Sequence, residues 1–188
     1  MSAIPIKVVK VLGSGPVQPA ARRLPEDAGQ TFLSGVPVYV DSTGYLAVVP
    51  TISASGSVIA GFSSEPAHNL SSDGVAKTLT YGSVENQANA VLIPVGAPPS
   101  DGSCGVWIAD DLTIFVGKTL STHALAVTDV GAIYGLTADT NGQWFVDTAI
   151  TTVNGGAVVE VTELIDAVGT LGGKVAFRVL RANQQLVS

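Results

Sequence analysis

The sequence contains few charged residues, and this shortage narrows the kinds of protein it can encode. Asp, Glu, Lys and Arg make up 13% of the 188 residues, against roughly 25% in typical soluble domains. A chain of this kind spans a membrane, aggregates, or is covered by partners. The longest uncharged run, residues 42–64, contains Pro50, three glycines, six serines and two threonines, which a membrane-spanning helix does not tolerate. The composition therefore favours a surface that is covered in an oligomer or a larger assembly.

The residues that usually build catalytic or metal sites are also scarce. Cys104 is the single cysteine, which excludes an internal disulfide, and we expect a buried structural thiol. His68 and His123 stand apart from each other, from Cys104 and from acids at metal-ligand spacing, so we expect both to be solvent-exposed turn residues. The sequence predicts no catalytic residue, no metal and no cofactor. A hydrolase that pairs a serine with His68 or His123 across the fold remains an alternative.

The regular segments are short, rich in β-branched residues and bounded by turn-forming residues. Their spacing of roughly 8–12 residues is typical of a β-sandwich or β-barrel, and no segment has a convincing helical pattern. We therefore expect an all-β fold whose last two strands form a hairpin with a long Gly-rich connection. The predicted strands are residues 6–12, 36–40, 45–49, 58–62, 77–81, 90–95, 105–109, 113–116, 133–136, 144–147, 157–164 and 174–180.

Two tight turns can be predicted from their chemistry. The segments Asp41-Ser-Thr-Gly44 and Asp139-Thr-Asn-Gly142 each place an Asp shortly before a Gly. The carboxylate can accept hydrogen bonds from the following backbone N–H groups, and glycine adopts the positive φ that closes the turn. Both segments lie between predicted strands, so both are expected to be hairpin tips.

Positive charge is concentrated at the start of the chain. The first 23 residues carry four bases and no acid, whereas the other 165 carry five bases and 15 acids. Pro and Gly interrupt this segment, so we predict an extended basic arm over residues 1–23 that binds an acidic surface. The β-branched residues of 6–12 favour a strand that adds to a sheet edge of this or a neighbouring subunit, over a merely solvated tail. The four bases are Lys7, Lys10, Arg22 and Arg23.

The rest of the chain, residues 24–188, is predicted to form the β-rich body. A weak internal sequence similarity relates Asp27-Ala-Gly-Gln-Thr-Phe32 to Asp129-Val-Gly-Ala-Ile-Tyr134. Such a repeat would divide the body into two subdomains, near 24–100 and 101–188. Three matches in six positions are explained more readily by chance than by a repeat.

The two tryptophans are expected to serve packing. Trp107 and Trp144 both stand in apolar predicted strands, where core or subunit-interface packing is the usual role of the residue. A platform on which a sugar ring stacks is the alternative.

Short sequence motifs spread over residues 24–180 resemble those of a known family. Ala28-Gly-Gln-Thr-Phe-Leu-Ser-Gly-Val-Pro-Val38, the following Asp/Gly turn and Ile59-Ala-Gly-Phe62 resemble tailed-bacteriophage head decoration (capsid cement) proteins. Later phrases resemble phage structural proteins of the same organisation. They are Thr113-Ile-Phe115, residues 129–136, residues 142–147 and residues 173–178.

The resemblance implies a structural protein and not an enzyme. Such a subunit is β-rich, often a homotrimer, and lies on the outer capsid surface of the virion after synthesis in the host cytoplasm. It bridges major capsid protein subunits against the pressure of packaged DNA, with no direct contact to nucleic acid or membrane. The predicted arm lies outside the resemblance. A trimeric phage tail or receptor-binding spike domain that recognises host glycan is the alternative.

Overall fold

The computed structural model describes residues 6–11, 21–50, 57–68, 102–152 and 155–186, and these residues form an all-β protein. No helix in those ranges is both long and apolar enough to cross a membrane. The strands of the described residues are β1 Lys7–Val11, β2 Arg22–Pro25, β3 Pro37–Val40, β4 Leu46–Val48, β5 Gly61–Ser63, β6 Ser103–Ile108, β7 Thr113–Lys118, β8 Ile133–Ala138, β9 Trp144–Asp147, β10 Val159–Leu164 and β11 Lys174–Val179.

The predicted all-β fold is confirmed, and most predicted strands are found within a few residues of their expected ends. The terminal hairpin is confirmed as β10 and β11, which pair antiparallel. The predicted strands 77–81 and 90–95 lie outside the described residues. Strand β2 was missed, because its Arg-Arg-Leu-Pro sequence has neither a β-branched residue nor regular alternation.

The strands form two antiparallel sheets that repeat one topology. One sheet has the order β2-β6-β5-β3-β4, and the other has the order β1-β7-β11-β10-β8-β9. Without β1, the two orders match strand for strand: β7, β8, β9, β10 and β11 take the places of β2, β3, β4, β5 and β6. The topology therefore repeats within the chain. The segments matched in the sequence do not occupy equivalent places in it, since Tyr134 lies in β8 and Phe32 lies before β3. The division lies between β6 and β7 and not near residue 100, since β6 belongs to the first sheet.

The same kind of contact closes each half of the repeat. After the first strand of each unit, a parallel bridge reaches the strand at the far edge of the sheet, joining Glu26 to Leu46 and Thr119 to Val146. Each sheet consequently curls back on itself.

Both predicted hairpin tips are confirmed, and they are built in the same way. Asp41 accepts hydrogen bonds from the amides of Thr43 and Tyr45, and Asp139 accepts them from the amides of Asn141 and Gln143. Gly44 and Gly142 have φ angles of 87° and 74°. The Thr43 hydroxyl and the Tyr45 amide hold the pKa of Asp41 below its usual value.

Three phenylalanine rings join the two sheets. Phe62 on β5 lies 4.6 Å from Phe115 on β7 and 5.9 Å from Phe177 on β11, measured between ring centroids, and Phe115 and Phe177 are also 5.9 Å apart. All three rings are inaccessible to solvent and belong to one core that extends through both sheets. The two units therefore share one hydrophobic core.

The N-terminal segment is part of this body within the described residues. Strand β1 pairs antiparallel with β7 of the same chain, and Ile6 is 1% exposed in the main core. Strand β2 extends across the boundary that was predicted at residue 23. Strands β1 and β2 therefore form edges of the two sheets within their own chain. This is one of the two possibilities predicted for residues 6–12, which were expected to join a sheet edge of this or a neighbouring subunit.

Phe62→Ala is expected to lower the free energy of unfolding by about 3–5 kcal/mol, because the cavity would lie where the two sheets meet. Urea denaturation followed by tryptophan fluorescence measures this. The control is Phe145→Ala on β9, where the ring is only partly buried. Equal losses in the two variants would contradict a central role for the Phe62 contact.

Candidate functional site

The outer face of the six-stranded sheet collects basic residues from distant parts of the sequence. Lys7 on β1 pairs with Val116 on β7, and Lys118 at the end of β7 pairs with Lys174 on β11. Directly opposed residues project from the same face of a sheet, so these side chains share the face that points away from the phenylalanine core. We call Lys7, Lys118, Lys174 and Arg178 the basic face. The backbone of Lys10 pairs with Ile114 on the same strand pair.

The basic face has an apolar base and few acids. Ile114, Val116 and Ala176 form a small buried cluster between its cations, separate from the main core. Glu160 accepts two hydrogen bonds from Arg178, at 3.0 and 2.8 Å. The chain has a net charge of −6, so this face opposes the charge of the molecule as a whole.

Two lysines of the basic face lie side by side. Lys118 and Lys174 are directly opposed on neighbouring strands, so both contribute positive charge to the same end of this face.

The other two predicted arm residues lie on the other sheet. Arg22 is exposed on the edge strand β2, opposite Val106. Arg23 forms a 2.9 Å ion pair with Glu65 and donates hydrogen bonds to the hydroxyl and carbonyl oxygens of Ser103. The four predicted cations therefore lie on two different sheets. Arg23 joins its own strand, β2, to the neighbouring strand β6 through Ser103.

A second surface of interest is apolar and is built from two loops. Residues 123–131 and 165–173 are hydrogen-bonded to each other. The amide of Leu125 donates to the Thr170 carbonyl at 3.1 Å, the amide of Gly169 donates to the Leu125 carbonyl at 2.7 Å, and the amide of Gly172 donates to the His123 carbonyl at 2.9 Å. We call this pair of loops the apolar double loop. Its exposed large side chains are Val127, Val130, Ile165, Val168 and Leu171, which are 46% to 72% exposed.

Asp129 fixes the shape of the double loop. Its carboxylate accepts hydrogen bonds from the Ala126 amide at 2.8 Å and the Tyr134 hydroxyl at 2.7 Å, and His123 Nε2 lies 2.9 Å away. Burial alone would raise the pKa of Asp129, but these partners outweigh it and hold the pKa below its usual value. Burial, together with the charge of Asp129, raises the pKa of Tyr134 to about 12.

The expectation that both histidines are free turn residues is wrong. His68 is 8% exposed, and its Nδ1 lies 2.8 Å from Oε2 of Glu26, a carboxylate that is fully buried. The His68 amide donates to the other Glu26 oxygen, and the Glu26 amide donates to the Gly102 carbonyl. Glu26 is therefore hydrogen-bonded to His68 and to Gly102, which lie on either side of residues 69–101 in the sequence. Glu26 and His68 are 42 positions apart in the sequence, so no local pattern predicted the pair.

Cys104 is buried, as expected. Burial raises the pKa of its thiol far above the ordinary value, and the nearby Glu26 and Glu65 charges add to the effect. The thiolate is the reactive form of cysteine, so this environment suits a structural residue.

A cleft of about 720 Å³ lies between the first unit and the tip of the β8–β9 hairpin. Trp144 and Phe32 form part of its apolar wall, and Gln30, Thr140 and Asn141 supply polar groups. Trp144 is 8% exposed, so it packs in the core as predicted. Trp107 is partly buried and packs against the same core.

Within the described ranges, no group of three or more His, Cys, Asp or Glu residues could hold a metal ion. A scan against protein-family models and a search of curated proteins give no match.

Asp129→Asn is expected to lower stability at neutral pH by about 1–3 kcal/mol, because buried donors lose an ionised acceptor. It should also flatten the acid limb of the stability curve. A carboxyl with a depressed folded pKa stabilises the protein above the unfolded value of about 4, and this stability is lost as the pH falls through the folded pKa. Urea denaturation at several pH values between neutral and strongly acid measures both effects.

Asp111→Asn is the control, since Asp111 makes only a 3.6 Å surface contact with Arg181, and such substitutions usually stay within about 0.5 kcal/mol. An Asp129→Asn variant that loses stability as steeply as the wild type in acid would refute the role given to this carboxylate.

Proposed function

We propose that this protein is a non-enzymatic capsid decoration, or cement, protein that binds the outer surface of a phage head and bridges neighbouring major capsid protein subunits. The proposal rests on the resemblance of residues 24–180 to that family. The observation that supports it best is the basic face on an otherwise acidic body, because a protein of this charge needs a localised cationic surface to approach an acidic lattice. The working form is proposed to be a homotrimer.

The basic face gives the proposed binding a specific geometry. Its cations come from three adjacent strands, β1, β7 and β11, and are held by the register of one sheet. The register fixes the backbone positions of these cations, whereas ordering each flexible lysine side chain on binding still costs about 0.5–1.5 kcal/mol. Single exposed ion pairs contribute only about 0.2–1 kcal/mol each, so attachment would depend on many such contacts made together by an oligomer.

Strand β1 changes how the role of the N-terminal charges must be tested. Ile6 is buried in the core and β1 completes the edge of a sheet. Deleting residues 1–23 would remove that strand and part of β2, and would damage the fold as well as the charge. Substitutions of exposed cations separate these two effects.

Lys7→Glu combined with Lys174→Glu is expected to weaken binding to expanded capsids by about tenfold at low salt, because two favourable charge contacts become repulsive. The difference from the wild type should shrink as salt is added, since exposed charges are screened within about 10 Å at 0.1 M. Cosedimentation with capsids that lack the decoration protein measures the affinity.

Arg181→Glu is the matched control, because Arg181 is 77% exposed and lies beyond β11, off the basic face. A cement protein should also bind the expanded lattice in preference to the procapsid, because its sites form on maturation. Wild-type affinity of the double variant, or absence of binding to either form of capsid, would reject the proposal.

The second candidate is a tail or receptor-binding spike domain, and the cleft beside Trp144 favours it. The cleft combines an aromatic wall with amide and hydroxyl side chains, which is the usual composition of a sugar site. Its weakness is that Trp144 is buried, so little of the ring can stack on a sugar. Binding to a host glycan array that is lost in Asn141→Ala would favour the spike domain.

A further inference from the structure

We infer that the apolar double loop is the surface through which copies of this chain associate with each other. The inference deepens the proposed function, on which it rests for the homotrimer, by assigning a surface to that assembly. It is carried by five exposed aliphatic side chains on two loops that are hydrogen-bonded together.

The exposure of these side chains is unusual for a surface. Val127 is 72% exposed, and Val168 and Leu171 are each 59% exposed. Isolated apolar residues are normal on surfaces, but groups of them mark interaction sites. Of the large hydrophobic residues that are exposed in the described ranges, only Val9 and Leu112 lie elsewhere.

The charge distribution favours a second copy as the occupant. Asp129 is buried and paired with His123, and the other acid of the two loops, Asp166, is partly buried and accepts a hydrogen bond from the Lys174 amide. The two loops therefore present five exposed aliphatic side chains and one partly buried carboxylate, which favours an apolar partner over a charged one. Apolar side chains can pack against identical ones across a symmetry axis, because hydrophobic contact is not directional. The basic face cannot do this, since two copies of it would repel.

The double loop is also organised before any partner binds. The Ala126 amide, the Tyr134 hydroxyl and His123 Nε2 hold the Asp129 carboxylate, and three backbone hydrogen bonds join the two loops. Ordering the loops therefore costs little free energy when two copies associate. A standard interface buries about 800 Å² on each partner, and five half-exposed aliphatic side chains would form the apolar centre of such a contact.

The test is the mass of the full-length protein in the absence of capsids, measured by light scattering over a range of concentrations. The wild type is expected to be an oligomer. Val168→Asp combined with Leu171→Asp is expected to shift the mass to that of one 19.1 kDa chain, or to raise the dissociation concentration at least tenfold. Val127→Asp, in the other loop, should act in the same direction.

Val9→Asp is the matched control, because Val9 is 56% exposed on β1, away from the double loop, and it should leave the oligomer intact. The inference is overturned by a wild type that stays monomeric at high concentration. It is equally overturned by double-loop variants that fold, as judged by circular dichroism, and keep the wild-type mass. Because capsids are absent, either result is separate from the outcome of the charge-reversal experiment.

Discussion

The contact of Phe62 with Phe115 and Phe177 is the interaction on which the rest of the structure depends. Phe62 belongs to the first unit and the other two rings to the second, and their centroids are 4.6 to 5.9 Å apart. A curled five-stranded sheet has an interior too small to bury much apolar surface by itself. By sharing these rings, the two units form one core, and that core fixes the position of both candidate surfaces.

Both candidate surfaces belong to the six-stranded sheet and its loops. Within the described residues, strand β1 has no counterpart in the first unit, and it brings Lys7 beside Val116 to complete the basic face. The β10–β11 connection supplies half of the apolar double loop. The repeated elements, such as the Asp41 and Asp139 turns and the two closing bridges, serve folding. Strand β1 serves both folding and the basic face, since Ile6 is buried in the core and Lys7 lies on that face.

The sequence predicted those parts of the fold whose causes are local. The Asp-x-x-Gly turns and the β10–β11 hairpin follow from neighbouring residues, and both are confirmed. The buried Glu26–His68 pair and the Lys118–Lys174 pairing depend on strand register between distant segments, which no local pattern encodes. The repeated topology was not predicted from the sequence, because topology is preserved by burial and turn chemistry and not by particular residues.

In the proposed assembly, the two surfaces would use different physical forces. Hydrophobic contact through the double loop is non-directional and is not screened by salt, which would suit association between identical chains. Charge contact through the basic face acts at longer range and is screened by salt, which suits steering toward a larger partner. The positive charge of the basic face contributes to this division, because two copies of that face would repel each other. Self-association would multiply weak charge contacts by the number of chains in the oligomer, so the apolar surface would set the strength with which the basic face binds.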